Sequence, residues 1–300
     1  MRYVVAVADE GGFGRAARVL GVAQPSVSQA IAQLEHELGV RLFDRVGRQV
    51  RLTAAGAAMM APGRRMLREA RIAIESVASV RGLEAGHVDV VALPTVAADP
   101  LAGLIGAFRR AYPRVLVRVS EPETADEALS MVASGLAELA VAEVPVDDDE
   151  LVADAVFTQE LVVVAPPGVD VGIDGVSGSD LARWPLIAPP PGTSTRRLVD
   201  AALAASGHKA TVAVETAQRE SIVPLVLAGA GVAVLPEQTA RRAAEDGARV
   251  SRFRPPLIRT LGFVHRRGSL SPAATALVRL ATESLVACRD TAAVHPDATP

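Results

Sequence analysis

Three hundred residues, half of them apolar, suffice for two or three domains with their own cores. The single cysteine, Cys288, excludes an internal disulfide and a cysteine-built metal cluster, and leaves only an intermolecular or sulfenic thiol switch open. The net charge of −3 conceals a division: residues 1–84 carry 12 Lys/Arg against 8 Asp/Glu (net +4), and residues 85–300 carry 19 against 26 (net −7), which favours nucleic-acid contact at the N-terminal end.

The opening apolar run stops at Asp9 and Glu10, too short for the core of a secretion signal. No stretch supplies the roughly 18 apolar residues of a membrane span, so a soluble, cytoplasmic protein without membrane attachment is expected. The first helix is predicted from Met1 to about Asp9, with Tyr3, Val4 and Val7 inward. Phe13 opens a second, in which Ala16, Ala17 and Leu20 share a face and Gly21 stops the helix. Val22 is expected to tuck back into the core. Pro25 suits the first turn of a third helix, whose apolar stripe is Val27, Ile31, Leu34 and Leu38. Its N-terminal polar face holds Gln24, Ser26, Ser28, Gln29 and Gln33, compact donors and acceptors suited to base edges and phosphates. A basic hairpin follows over residues 40–52, anchored by Leu42 and Phe43 and turned at Gly47. Its Arg45, Arg48 and Arg51 are placed to meet phosphates or a minor groove, while Arg41 and Asp44 are read as a structural ion pair. Two helices, a tight turn and a basic hairpin form the pattern of an all-α winged helix-turn-helix over residues 1–53.

Thr53 is the expected N-cap of a long helix over residues 54–86. Leu67, Ala70, Ile74 and Val77 form a short coiled-coil seam. Pro62 predicts a bend or break near residues 58–62. From His87 the chain alternates strand-like and helix-like runs, the signature of α/β layers with largely parallel sheets. Two sets of such units imply two lobes and a cleft. Ligands of such sheets sit beyond strand C-termini and near helix N-termini, so Thr95, Val96, Gly192, Thr193, Ser194 and Arg219 are candidates for a small molecule such as a carboxylate. Thr193 and Ser194 as mere helix caps is an equally open reading. The five histidines (36, 87, 208, 265 and 295) lack metal-ligand spacing, and no cofactor is implied. Residues 290–300 read as a disordered tail.

The ordered run Ala16-Ala17, Gln24-Pro25-Ser26, Ser28-Gln29, Leu34-Glu35, Leu38-Gly39-x-x-Leu42-Phe43-x-Arg45 and Leu52-Thr53-x-x-Gly56 resembles the DNA-binding region of LysR-type transcriptional regulators. The resemblance puts Gln24, Pro25, Ser28, Gln29 and Arg45 at DNA-contact positions. Gly12, Gly14 and Gln29 depart from the family's frequent Ser, Thr and Arg. It further implies that the long helix pairs two subunits and that the body, 87–289, has a type 2 periplasmic-binding-protein fold. In that fold the chain crosses twice, giving lobe 1 about 87–162 and 260–289 and lobe 2 about 163–259. The implied function is effector-controlled binding of double-stranded promoter DNA by a homodimer or homotetramer, with RNA polymerase as a further partner. A catalytic or solute-binding two-lobed body with a vestigial head is the competing reading; no nucleophile–base pair or metal set supports catalysis.

Overall fold

The computed structural model of the chain describes residues 1–46, 49–79, 85–122, 124–172, 174–268 and 270–293. Three helices open it: α1 (Arg2–Glu10), α2 (Phe13–Leu20) and α3 (Gln24–Leu38). They close around Val4, Val7, Ala16, Ala17, Val27 and Ile31, joined by Leu42, Phe43 and Met60. Gly21 takes the left-handed conformation (φ 65°) that ends α2. The turn sends Val22 outward instead of into the core: its N–H donates to Ala17 O, but its side chain is exposed. Leu38, last of the predicted stripe, is also exposed, because α3 has by then run past the bundle.

The hairpin of β1 (Phe43–Val46) and β2 (Gln49–Leu52) is pinned to α3 by Glu35, whose Oε1 accepts from the N–H of Leu42 (2.6 Å) and Phe43 (3.1 Å). Arg41 and Asp44 form no ion pair with each other; both are exposed, and this backbone anchor does the work assigned to them. Thr53 caps the next helix, its Oγ1 accepting from Gly56 N at 3.0 Å and donating to Arg41 O at 2.7 Å.

That helix, α4 (Ala54–Ser79), runs unbroken through Pro62, so of the expected bend or break the break does not occur. The proline removes one backbone donor, but tertiary packing holds the helix there. Gly63 is buried against Met1 so closely that a Cβ would lie 2.6 Å from its Sδ. The next turns dock on the body.

Among the described residues the body forms one sheet of eight strands in the order β4-β3-β5-β10-β6-β9-β7-β8. Its strands are β3 (Gly86–Ala92), β4 (Val115–Ser120), β5 (Leu139–Glu143), β6 (Leu151–Ala165), β7 (Leu186–Ala188), β8 (Val212–Glu215), β9 (Val232–Pro236) and β10 (Arg249–Arg266). The outer pairs are parallel, as the alternation predicts. The middle is not: β6 and β10 run antiparallel to each other and to their neighbours β9 and β5. These two long strands carry the chain between lobes and merge the expected separate sheets into one mixed sheet. Their crossing segments escape a periodicity reading because Val152–Glu160 is mostly polar or partly exposed and Pro255-Pro256 interrupts β10.

Helices cover both halves: α5 (Pro94–Val96), α6 (Ala102–Ala111) and α7 (Ala125–Ala133) in the first; α8 (Gly178–Leu181), α9 (Ser194–Ala205), α10 (Ile222–Leu227) and α11 (Glu237–Glu245) in the second. The last, α12 (Pro272–Ala293), returns to the first half. It continues beyond Asp290, where the sequence reading places a tail; residues 294–300 lie outside the described residues.

Candidate nucleic-acid interface and ligand cleft

The start of α3 presents a polar surface to solvent. Gln24, Pro25, Ser26, Gln29 and Gln33 are exposed and Ser28 is half-buried. The N-cap is Ala23, so no side chain caps the first turn, and its amide end is open to an anion such as phosphate. Gln33 is partly committed, donating to Glu37 Oε1 at 3.1 Å. On the hairpin Arg51 is exposed on β2, its Cα opposite that of Asp44 on β1. Arg45 belongs to β1, but its side chain, like Gly47 and Arg48, lies outside the described residues.

On α4 the exposed apolar stripe differs by one residue from the predicted seam. Ile74 and Val77 are 72% and 76% exposed, and Ala70 is exposed with them. Leu67 instead faces a hollow of about 360 Å³ shared with Val5, Asp9 and Leu136. Met66, 59% exposed, takes its place at the head of the stripe. The reason is helical phase: Arg64, Leu67, Arg68 and Arg71 lie on one face, and that face meets α1 and the body. Arg64 pairs with Asp9. Arg68 Nη2 donates to Gly135 O at 2.7 Å. Arg71 stands 3.5 Å from Glu138 and 3.7 Å from Asp89. Glu138 is 2% exposed, and its oxygens also accept from Ser271 N (2.6 Å) and Ser271 Oγ (3.1 Å) at the start of α12. One carboxylate thus joins the long helix to the first lobe.

Between the lobes, the predicted ligand residues separate by role. Val96 is 1% exposed within the first lobe's core, so its side chain does not line a cleft; the turn after β3 rolls it inward. The Thr95 side chain lies outside the described residues. Gly192 takes φ 87° and turns the chain into α9. Thr193 occupies the N-cap position without capping: its Oγ1 donates back to Pro190 O at 3.0 Å. Ser194 is 7% exposed, and its Oγ is buried without a hydrogen-bond partner, an uncommon state for a buried hydroxyl. The capping alternative is therefore not what either hydroxyl does.

Arg219 of the second lobe has its pKa lowered by burial, opposed by the charge of Glu121 from the first. Five residues that no local pattern singled out join it. Arg197 at the start of α9 reaches Glu143 at the end of β5, 2.7 Å away across the lobes. Arg259 is 2% exposed inside β10 and donates from Nε to Gln159 Oε1 at 2.7 Å on the facing strand. Burial pulls the Arg259 pKa down to about 10, against the raising charge of Glu143, with Arg219 lowering it further and Asp99 raising it. Gln159 completes the chain by donating to Asp99 O at 2.9 Å. These residues carry no local motif; their meeting depends on the crossing of β6 and β10. A serine hydroxyl without a base and arginines held by carboxylates can bind and orient an anion, but they offer no nucleophile–base pair.

A winged helix-turn-helix on a long helix, ahead of a two-lobed binding body, defines a ligand-responsive DNA-binding regulator. Residues 1–57 match the family described as bacterial regulatory helix-turn-helix protein, lysR family, and residues 81–286 match the LysR substrate binding domain. The chain belongs to the LysR family of transcriptional regulators. It is 30% identical over 291 residues to the HTH-type transcriptional regulator IlvR of Caulobacter vibrioides, covering 94% of this chain and 96% of that one. In fold it is similar to a full-length OxyR variant from Pseudomonas aeruginosa, with a TM-score of 0.76 at 24% identity over 95% of this chain and 92% of that one. It also resembles full-length CbnR complexed with its target DNA, with a TM-score of 0.57 at 21% identity over 95% and 98%. Its function is DNA-binding regulation of transcription in response to an effector. Among the described residues no helix is long and apolar enough to cross a membrane.

Proposed function

We propose that promoter DNA is read by Gln24, Pro25, Ser26, Ser28, Gln29 and Gln33 from the start of α3, with Arg45, Arg48 and Arg51 of the wing on the flanking backbone. The observation that carries this reading is the uncapped, exposed polar start of α3. Glutamine can pair with adenine in the major groove, whereas wing arginines act as charges. In duplex titrations with the full chain, Gln29→Ala is expected to alter base preference at one position by about 1–3 kcal/mol. Arg51→Ala should weaken all duplexes alike and lower the salt slope by about 1. Identical behaviour of the two variants would overturn this division of roles.

Met66, Ala70, Ile74 and Val77 form the surface for a second copy in a dimer; assembly of two dimers into a tetramer uses other faces. Ile74→Lys places a charge in that seam and is expected to shift sedimentation to the monomer mass; an unchanged mass refutes the seam. The effector is a small anion such as a carboxylate, held between Thr95, Gly192, Thr193, Ser194 and Arg219 with Arg259 behind. Support for that class comes from the buried Ser194 hydroxyl without a partner and from Arg219 and Arg259, close enough for the charge of one to act on the other. The working units are the head (1–53), the linker (54–86) and the body (87–289), acting in the cytoplasm and contacting RNA polymerase at the promoter. The lobe exchange near residues 162 and 260 is supported by the cores: Phe157 and Leu261 pack in one, Leu161 and Leu257 in the other.

A further inference from the structure

The ion pair between Arg197 at the start of α9 and Glu143 at the end of β5 ties the second lobe to the first at 2.7 Å. Strand register places Glu143 opposite Leu261 of β10. Arg259, two residues along β10, therefore stands diagonal to Glu143 on the same face of the sheet. Burial weakens the Arg259 cation there, and the Glu143 charge supports it. One carboxylate thus serves two guanidinium groups, one on the crossing strand and one on the second lobe.

An anionic effector needs a cation that can change partners. Arg219 and Arg259 are largely buried, and the charges of Glu121, Glu143 and Asp99 already act on them. Arg197 differs. Its side chain is 61% exposed and that of Glu143 is 29% exposed, and an ion pair open to water is weakly held. Arg197 also leaves α9 three residues after Ser194, on the same side of the helix, and the Ser194 hydroxyl is buried without a hydrogen-bond partner. We propose that Glu143 is a built-in competitor for the effector: its carboxylate occupies Arg197 when the cleft is empty, and an acidic effector binds by displacing it, which releases this tie between the lobes. The inference rests on the reading of the effector as a small carboxylate. It gives Glu143 a part in selection. A neutral molecule gains no ion pair by displacing Glu143, so the residue favours acids. An acid must also outcompete a tethered carboxylate, whose effective concentration is in the millimolar range, so simple carboxylic acids at low concentration do not release the tie.

The test uses the full chain, with Glu143→Gln to remove the charge and keep the shape. Without any added anion, hydrogen exchange over residues 190–198, at the start of α9, should rise by about threefold or more in Glu143→Gln. Sodium acetate is then titrated against sodium chloride at equal ionic strength, with binding read from the shift in melting temperature. Glu143→Gln should bind acetate about tenfold more tightly than the parent, because no tethered carboxylate competes with it. A Glu143 that only braced the lobes would lower anion affinity on removal, not raise it. Adding Arg197→Gln to Glu143→Gln should abolish the acetate effect. Unchanged exchange in Glu143→Gln overturns the tie between the lobes. Acetate affinity equal to the parent's, or acetate binding that survives the loss of Arg197, overturns the competition. Ser194→Val in the Glu143→Gln background tests the effector reading separately. Acetate binding that survives it supports the competition at Arg197 and counts against Ser194 as an effector contact, whereas lost binding supports both.

Discussion

Replacing Glu138 by alanine is expected to lower the stability of the body by about 3–5 kcal/mol, the usual cost of removing one partner from a buried charged pair. Glu138 is 2% exposed, accepts from Ser271 N and Ser271 Oγ, and pairs with the Arg71 guanidinium. Its loss strands the amide that begins α12 and leaves Arg71 with Asp89 and Glu75 at 3.7 and 3.9 Å. Arg68 donates to Gly135 O next door, so the whole seat of the linker on the first lobe loosens. Urea denaturation should show a lower midpoint at unchanged slope. Glu138→Gln, which keeps one acceptor for Ser271, should cost less. A Glu138→Ala variant within about 1 kcal/mol of the parent would show that water replaces the carboxylate and that the contact is not structural.

The second large effect is expected at Gly56. Helix propensity alone predicts that Gly56→Ala stabilises α4 by about 1 kcal/mol. The tertiary contact predicts the opposite. A Cβ there would lie 2.1 Å from Leu42 O and 2.9 Å from Leu52 Cδ2. Leu42 O is fixed backbone that already accepts from Thr53 N at 3.0 Å, and Leu42 N is held by Glu35. The wing would have to move off α4. Overpacking costs about 1–3 kcal/mol and more when the obstacle is rigid, so the contact outweighs propensity. The expected result is a destabilised head and a loss of duplex affinity of about a hundredfold or more, read by fluorescence anisotropy beside a thermal melt. Unchanged affinity would mean that the wing tolerates displacement and does not position Arg51.

The head was largely legible because its information is local. Gly21 ends α2, Pro25 opens α3, Thr53 caps α4, and Val27 and Ile31 reach the core by helical spacing. The same logic erred where a tertiary neighbour decided. Val22 follows a left-handed turn that carries it outward. Pro62 sits in a helix whose lost hydrogen bond is offset by close packing of Gly63 on Met1. Leu67 and Met66 are adjacent apolar residues, and only the docking of the Arg64–Arg71 face on the body decides which of them turns to solvent.

The ligand cleft was the least legible part. Hydroxyls at a helix start are a recognisable feature, which singled out Ser194 as a candidate. Gln159 and Arg259 were not: they are a hundred residues apart in sequence, and neither has a motif around it. Val96 was misassigned because a strand-to-helix loop on its own gives no sign of which side chain rolls into the core.

By itself, the amino-acid sequence determined the family, the helix-turn-helix, the cap and start of the long helix, and the alternation that makes the body α/β. Each rests on interactions within a few residues: turns, caps and periodic apolar faces. The tertiary structure decided that β6 and β10 run antiparallel and fuse the lobes into one sheet. It decided which face of α4 meets the body, that Glu138 joins them, and that Arg259 meets Gln159 across β10 and β6. Those outcomes depend on strand register and helix phase against distant partners. A buried charge becomes tolerable only when such partners arrive, and no local pattern announces their arrival.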